Sequence, residues 1–209
     1  MKVLLINGSP KKNGCTYTAL EAVSAEIEKQ GIETEIFYMG NEPIRGCTGC
    51  GYCGRMGNHQ CVFTNDTVNE AILKAKDCDG FIFGTPVHYA AASGGLTSML
   101  DRMFYAASSL FALKPGAAIA SCRRGGASTA LDQLNKYFTI ASMPVVSSQY
   151  WNMIHGNTPD EIKQDLEGMQ TMRVLGRNMA WLLKSIEAGK KAGVELPEIE
   201  TRARTNFIR

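Results

Sequence analysis

A doubly wound α/β fold, with five parallel strands in the order 2-1-3-4-5 and helices on both faces, is what the sequence predicts. Three observations lead there. Short apolar runs alternate with segments of helical period along the chain. Most of those runs lack polar alternation, as strands covered on both faces do. A chain of 209 residues suffices for one core and is short for two.

The elements follow in order. Strands are expected at Lys2–Asn7, Glu33–Tyr38, Gly80–Gly84, Gly116–Cys122 and Pro144–Trp151. Helices are expected over Thr16–Gln30, Val68–Asp77, Leu96–Ser108 and Ser128–Ala141, the second opened by the capping box Thr67-x-x-Glu70. Right-handed crossovers between such units give a parallel sheet. The last helix is the best marked: Thr158 caps it, Pro159 suits its first turn, and Glu161 completes a capping box. Apolar residues from Ile162 to Ile186 then recur at helical steps. From Pro159 to Lys190 this helix would be roughly 48 Å long, so it either kinks near Gly168 or Gly176 or runs past the core to a second subunit. Residues 1–192 thus read as one domain, with 193–209 a polar tail that frays or lies along a neighbour.

Composition narrows the function classes. The chain is 44% apolar and 20% charged with a net charge of +2, which provides no general field for nucleic acid or an anionic membrane. No stretch approaches the ~20 apolar residues of a transmembrane helix, and the opening run is too short for a signal peptide. Seven cysteines, an odd number, do not suit a secreted disulfide framework. They read as thiols, thiolates or metal ligands in a reducing cytoplasm.

The stretch "INGSPKKNGCTYTA" lies between the first strand and first helix. It is neither a P-loop nor a dinucleotide fingerprint, since five residues separate Gly8 from Gly14 and Cys15 stands where lysine would follow. Ser9 and Thr16 supply hydroxyls, and the amides from Asn13 to Thr16 open a helix, so the turn suits a single terminal phosphate. Taken alone it serves equally as a plain turn built on Pro10, Asn13 and Gly14. Two later strand ends, "GTPVHYAAASGG" and "SCRRGG", lie at the ligand-binding edge of such a sheet. Thr85 to Tyr89 form a stiff loop suited to a flat ring. Arg123, Arg124, Gly125 and Gly126 offer cationic donors and close backbone approach, and a cation at the N1/O2 edge of a flavin favours its anionic reduced form.

"NGSPKKNGCT", "GTPVHY" and "GGLTSMLDR" together resemble the NAD(P)H-dependent FMN reductase branch of the flavodoxin-like superfamily, over roughly residues 1 to 150. The resemblance implies an FMN phosphate held by Ser9, Lys11, Cys15 and Thr16 around the Asn13 and Gly14 turn. It implies the isoalloxazine against Pro86, Val87, His88 and Tyr89, with Arg123, Arg124 and Gly125 closing the other edge. Cys15 departs from the asparagine of many relatives, though its backbone amide still serves. Asp101 and Arg102 read as a structural ion pair and stay outside the site.

"CTGCGYCGRMGNHQC" places Cys47, Cys50, Cys53 and Cys61 as C-x2-C-x2-C-x7-C in the loop 45–63 after the second strand. This resembles the compact motif of iron–sulfur flavoproteins and implies a [4Fe–4S] cluster. It differs from the bacterial ferredoxin run in its longer last gap and in Val62, where that run has proline. Structural zinc separates its C-x2-C pairs by more residues. The other reading, free or redox-active thiols, stays open. His59 reads as solvated, Cys78 and Cys122 as core thiols, and Trp151 and His155 as a core tryptophan and a surface histidine. The alternative for that pair is a part in shaping a nicotinamide pocket.

The function expected is an FMN-dependent oxidoreductase that takes hydride from NAD(P)H. Its electrons would pass to a quinone, a flavin, a bound iron–sulfur cluster or another small-molecule or protein acceptor. No acid–base constellation competes. An electron carrier without its own substrate and a cysteine-loop redox or metal sensor are the alternatives. An open flavin edge further suggests a homodimer or dimer of dimers.

Overall fold

The computed structural model describes residues 1–198, 200, 203 and 205–208. Strand β1 (Lys2–Asn7) is almost wholly buried and sits mid-sheet, so its unbroken apolar run has two faces to satisfy. On one side it pairs in parallel with β2 (Glu33–Tyr38), on the other with β3 (Gly80–His88). Strand β3 continues beyond the predicted Gly84 and turns back through the two-residue β4 (Ala91–Ala92), its antiparallel partner. Next come β5 (Gly116–Cys122) and β6 (Met153–His155), giving β2-β1-β3-β5-β6. With the β4 ribbon uncounted, this is the predicted 2-1-3-4-5 order.

Two apolar layers flank the sheet. Helix α1 (Cys15–Glu28), the short α6 (Pro159–Gln164) and α7 (Leu166–Lys191) cover one face. The other carries α3 (Val68–Ala75), α4 (Gly94–Ala107) and α5 (Ala127–Ile140). The five-residue α2 (Tyr52–Met56) lies in the cysteine-rich loop. Rings fill the α4/α5 side, with Phe83 stacked on Phe138 and Phe104 on Phe111 at centroid separations of 5.2 and 4.5 Å. On the other face α7 crosses α1 at Gly176, where a Cβ would sit 2.6 Å from the Val23 carbonyl oxygen. Only glycine lets the two backbones approach so closely.

Three expectations are corrected and one is refined. The fifth strand is not Pro144–Trp151: Val145 forms one isolated bridge to Gly116, and the ladder resumes only at Met153. The final helix does break near Gly168, at Asp165, but the cause is a cap and not the glycine: the Asp165 carboxylate starts a new helix by accepting from the Gly168 amide at 2.9 Å. Helix α7 alone is about 39 Å long. Thr67 builds no capping box: its hydroxyl donates to the Met39 carbonyl at 2.8 Å, and Asp66 accepts from the Val68 amide instead. At Thr158 half the expected box forms, for Glu161 donates its amide to the threonine hydroxyl while its carboxylate takes the Asn157 amide. Of the tail, Ile199, Thr201, Arg202, Arg204 and Arg209 lie outside the described residues. No helix among the described residues is long and apolar enough to cross a membrane.

Candidate functional site

The turn after β1 is shaped from within by Asn7, which is fully buried. Its side-chain amide donates to the Lys12 carbonyl at 2.9 Å and its oxygen accepts from the Ser9 amide at 3.1 Å. Left unpaired there, such a group would cost about 1–3 kcal/mol. The Gly8 amide donates to the Gly84 carbonyl at 2.8 Å, and a Cβ on Gly8 would meet both that oxygen and Leu96 at 2.8 Å. The turn is therefore pressed onto β3 and α4. From the outside, the Tyr38 hydroxyl donates to the Pro10 carbonyl at 2.8 Å.

Helix α1 then starts at Cys15 behind Gly14, with no side chain capping its first amides and no acid in its first turn. Those amides are left for an anion. Thr16 and Ser121 hydroxyls meet at 2.8 Å, joining α1 to the end of β5. The Cys15 thiol lies 3.7 Å from the Gly156 carbonyl. Burial pushes both Cys15 and Cys122 thiols up from their ordinary value.

Around this turn opens a cavity of about 550 Å³, within the range of small-molecule and cofactor sites. The structure brings Ser9, Lys11, Asn13, Gly14, Cys15, Thr16, Pro86, Val87, His88 and Arg123 to its walls. It does not bring Tyr89, Arg124 or Gly125 there. Tyr89 and Ala90 take left-handed backbones (φ 49° and 59°), which turn the Tyr89 side chain fully into solvent. That hairpin is held firmly: Thr85 donates to the Pro86 carbonyl and accepts from the Ser93 amide, and Gln133 accepts from the Ala92 amide.

Sequence reasoning set the segment "SCRRGG" at this edge but gave Ser121 no role, read Cys122 as a core thiol, and missed the wall Gly156–Pro159. Ser121 and Cys122 end a strand directly before the two arginines, and Thr158–Pro159 opens a helix directly after the last strand. Both were readable as ligand-edge positions. The wall is fixed by Asp165, whose second oxygen accepts from the His155 amide at 2.7 Å. Trp151 is 62% exposed and lines a separate cavity, so the core reading of it is overturned. His155 is partly exposed beside Asp165, 3.5 Å from its carboxylate.

The four loop cysteines surround a second cavity, about 110 Å³, together with Arg102, Tyr105 and Ala106 of α4. Cys47 and Cys50 are exposed, Cys53 and Cys61 partly buried. Left-handed glycines, Gly51 (φ 68°) and Gly57 (φ 61°), bracket α2 and let the loop curl. Asn69 reaches up from α3 to clasp Cys61, accepting from its amide at 2.8 Å and donating to its carbonyl at 2.9 Å. His59 does not line this cavity. Arg102 pairs with Asp66 rather than Asp101, while Asp101 accepts from the Tyr137 hydroxyl at 2.6 Å. The Asp101–Arg102 pairing is thus corrected. Among the described residues no three His, Cys, Asp or Glu side chains converge on a single metal ion. A four-iron cluster takes one thiolate at each of four separate irons, so four thiols spaced around one small cavity suit it better than they suit a lone ion.

The strand order defines a flavodoxin-like fold, and comparison with known proteins places the chain among flavoproteins. Residues 1–158 match the NADPH-dependent FMN reductase family, and the chain belongs to that family, in its iron–sulfur flavoprotein branch. It is 34% identical to an iron–sulfur flavoprotein of Methanocaldococcus jannaschii across 90% of this chain and 100% of that protein. It is 27% identical to an iron–sulfur flavoprotein of Methanosarcina thermophila over 91% and 99% of the two chains. Among solved structures, the fold is similar to RosB bound to 8-demethyl-8-formylriboflavin-5'-phosphate (TM-score 0.67, 15% identity, 100% of this chain and 92% of that one). It is also similar to an NAD(P)H:quinone oxidoreductase of Methanothermobacter marburgensis (TM-score 0.63, 15% identity, 86% and 96%).

Proposed function

We propose that this flavin oxidoreductase takes hydride from NAD(P)H onto FMN and passes the electrons singly to a [4Fe–4S] cluster in the cysteine loop, and from there to a small-molecule or protein acceptor. One observation carries the reading: the 550 Å³ cavity has an uncapped helix start at its floor, and Lys11 and Arg123 but, among the described residues, no carboxylate on its walls. That is a site for an anionic cofactor with a flat body. Bound FMN would supply a two-electron acceptor that can release electrons one at a time.

The chain's own residues do the rest. Ser9, Thr16 and the amides of Asn13 to Thr16 hold the phosphate, with Lys11 nearby. Pro86, Val87 and His88 support one ring face, while Arg123 brings positive charge to the ring edge, favouring the reduced anion. Cys47, Cys50, Cys53 and Cys61 are the cluster ligands, and the α4 wall with the half-buried Cys53 and Cys61 limits water around them. We place the protein in the cytoplasm, as a homodimer in which residues 1–192 form the flavin domain.

Anaerobically purified full-length protein should contain a single FMN and four irons per chain and should oxidise NADH or NADPH when a quinone or viologen dye is supplied. Protein that takes up no FMN on incubation, or that oxidises neither nucleotide with any acceptor, would overturn the reading.

A further inference from the structure

We infer that Arg102 is the positioning residue of the cysteine loop: it closes the loop on itself and raises the reduction potential of the cluster through Cys61. The inference rests on the cluster reading above. Arg102 projects from α4 and is 1% exposed. Each of its three nitrogens has a partner. Nε donates to the Cys61 Sγ at 3.2 Å, and Nη2 donates to the Phe63 carbonyl at 2.9 Å. Nη1 donates to the Arg45 carbonyl at 3.1 Å and to the Asp66 carboxylate. Arg45 precedes the first cysteine and Phe63 follows the last, so one guanidinium ties the loop's two ends together. Phe63 meets two cations, with Arg45 and Arg102 at 4.7 and 5.5 Å from its ring centre.

Loop closure alone does not require a charge. A buried arginine is expensive to desolvate, and apolar packing closes loops at lower cost. What an arginine adds is a rigid fork that serves two carbonyls, a carboxylate and a sulfur at once, with a positive charge beside the sulfur. The other loop sulfurs have weaker company: Cys47 accepts from the Gly49 amide at 3.5 Å, and Cys53 faces the Tyr105 carbonyl at 3.6 Å. Cys61 alone among the four has a charged donor in the described residues. A hydrogen bond and a positive charge at a ligand sulfur favour the extra electron of the reduced cluster. Asp66, on the far side of the guanidinium, offsets part of that charge.

The opposed charges yield a test with opposed signs. Wild type, Arg102→Gln, Arg102→Lys and Asp66→Asn are to be reconstituted with iron and sulfide as full chains. Iron and FMN per chain, iron release to a chelator and the cluster midpoint potential are then measured. Arg102→Gln should keep its FMN, release iron about 10-fold faster or more, and shift the midpoint to more negative values. Arg102→Lys, which keeps the charge and loses the fork, should release iron quickly but fall nearer wild type in potential. Asp66→Asn should shift the midpoint to more positive values. A purely structural post predicts the same sign for Arg102→Gln and Asp66→Asn, since both break one ion pair, and that result overturns the inference. Normal iron retention and an unchanged midpoint in Arg102→Gln overturn it too. If Arg102→Gln fails to bind FMN, the Asp66→Asn midpoint decides: more positive supports the inference, and unchanged or more negative refutes it. A wild type that assembles no cluster removes the cluster reading itself, whereas a normal wild type with unaltered variants removes only the role of Arg102.

Discussion

The two cavities of this protein are built by opposite means. The larger cavity, proposed above to hold FMN, is walled by the ends of β1, β3, β5 and β6 and by two helix starts, so its shape follows from sheet pairing. The cysteine cavity is walled by a loop whose one regular element is the five-residue α2, and side chains of Arg102 and Asn69 hold it in place. The first should exist before its ligand arrives. The second depends on a few polar contacts and on what it encloses, as small metal sites commonly do.

The widest separation is expected from serine at Cys47, Cys50, Cys53 and Cys61 together. Iron should vanish completely while FMN per chain is unchanged, by metal analysis and flavin absorbance; loss of FMN as well would merge the two sites. The reverse case is Gly8→Val. Its Cβ has a backbone oxygen at 2.8 Å that cannot step aside, so urea unfolding should show about 3 kcal/mol of lost stability and gel filtration should strip the FMN.

A third comparison sets a framework thiol against the loop thiols. Burial pushes Cys78 up to about 11 from 9.0, with Glu35 and Asp79 reinforcing the shift and Lys2 and Lys114 opposing it. Between those values the unfolded chain loses a proton that the native thiol keeps, so the stabilising contribution is complete below pH 9 and falls away as pH rises toward 11. Denaturation at pH 8 and pH 11 should show a loss of about 2 kcal/mol that is absent in Cys78→Ala. Half-buried Lys114, held below its usual value by desolvation, contributes a slope of opposite sign just below pH 10.5, which the paired variant cancels. The smallest effect is expected at Tyr89→Ala: with the ring in solvent, FMN affinity should change by no more than about twofold in a fluorescence titration. A larger loss would place that ring against the flavin after all.

What the sequence made legible tracks local regularity. β1, α1 and the turn between them were readable because strand burial, glycine and a helix start act within a few residues. β6 was not. Pro144-Val145-Val146 has the look of a strand, and its amides and carbonyls do meet Gly116, but the real ladder is three residues long and further on. A kink near Gly168 was foreseen, but its cause was hidden, because apolar periodicity runs straight through Asp165 and the cap is a side chain. Arg102 was matched with its sequence neighbour, whereas its partner lies 36 residues away across the fold. Most of the turn residues could be assigned to the cavity, yet Tyr89 could not be excluded, since a left-handed backbone at a tyrosine leaves no mark in the sequence.

The single carboxylate of Asp165 latches the short edge strand to the long closing helix, so α7 is more than an appendage. The stretch shared with the wider reductase family stops at residue 158, seven positions short of that latch. A fragment trimmed to the shared stretch would keep the turn after β1 and lose the bolt on its door.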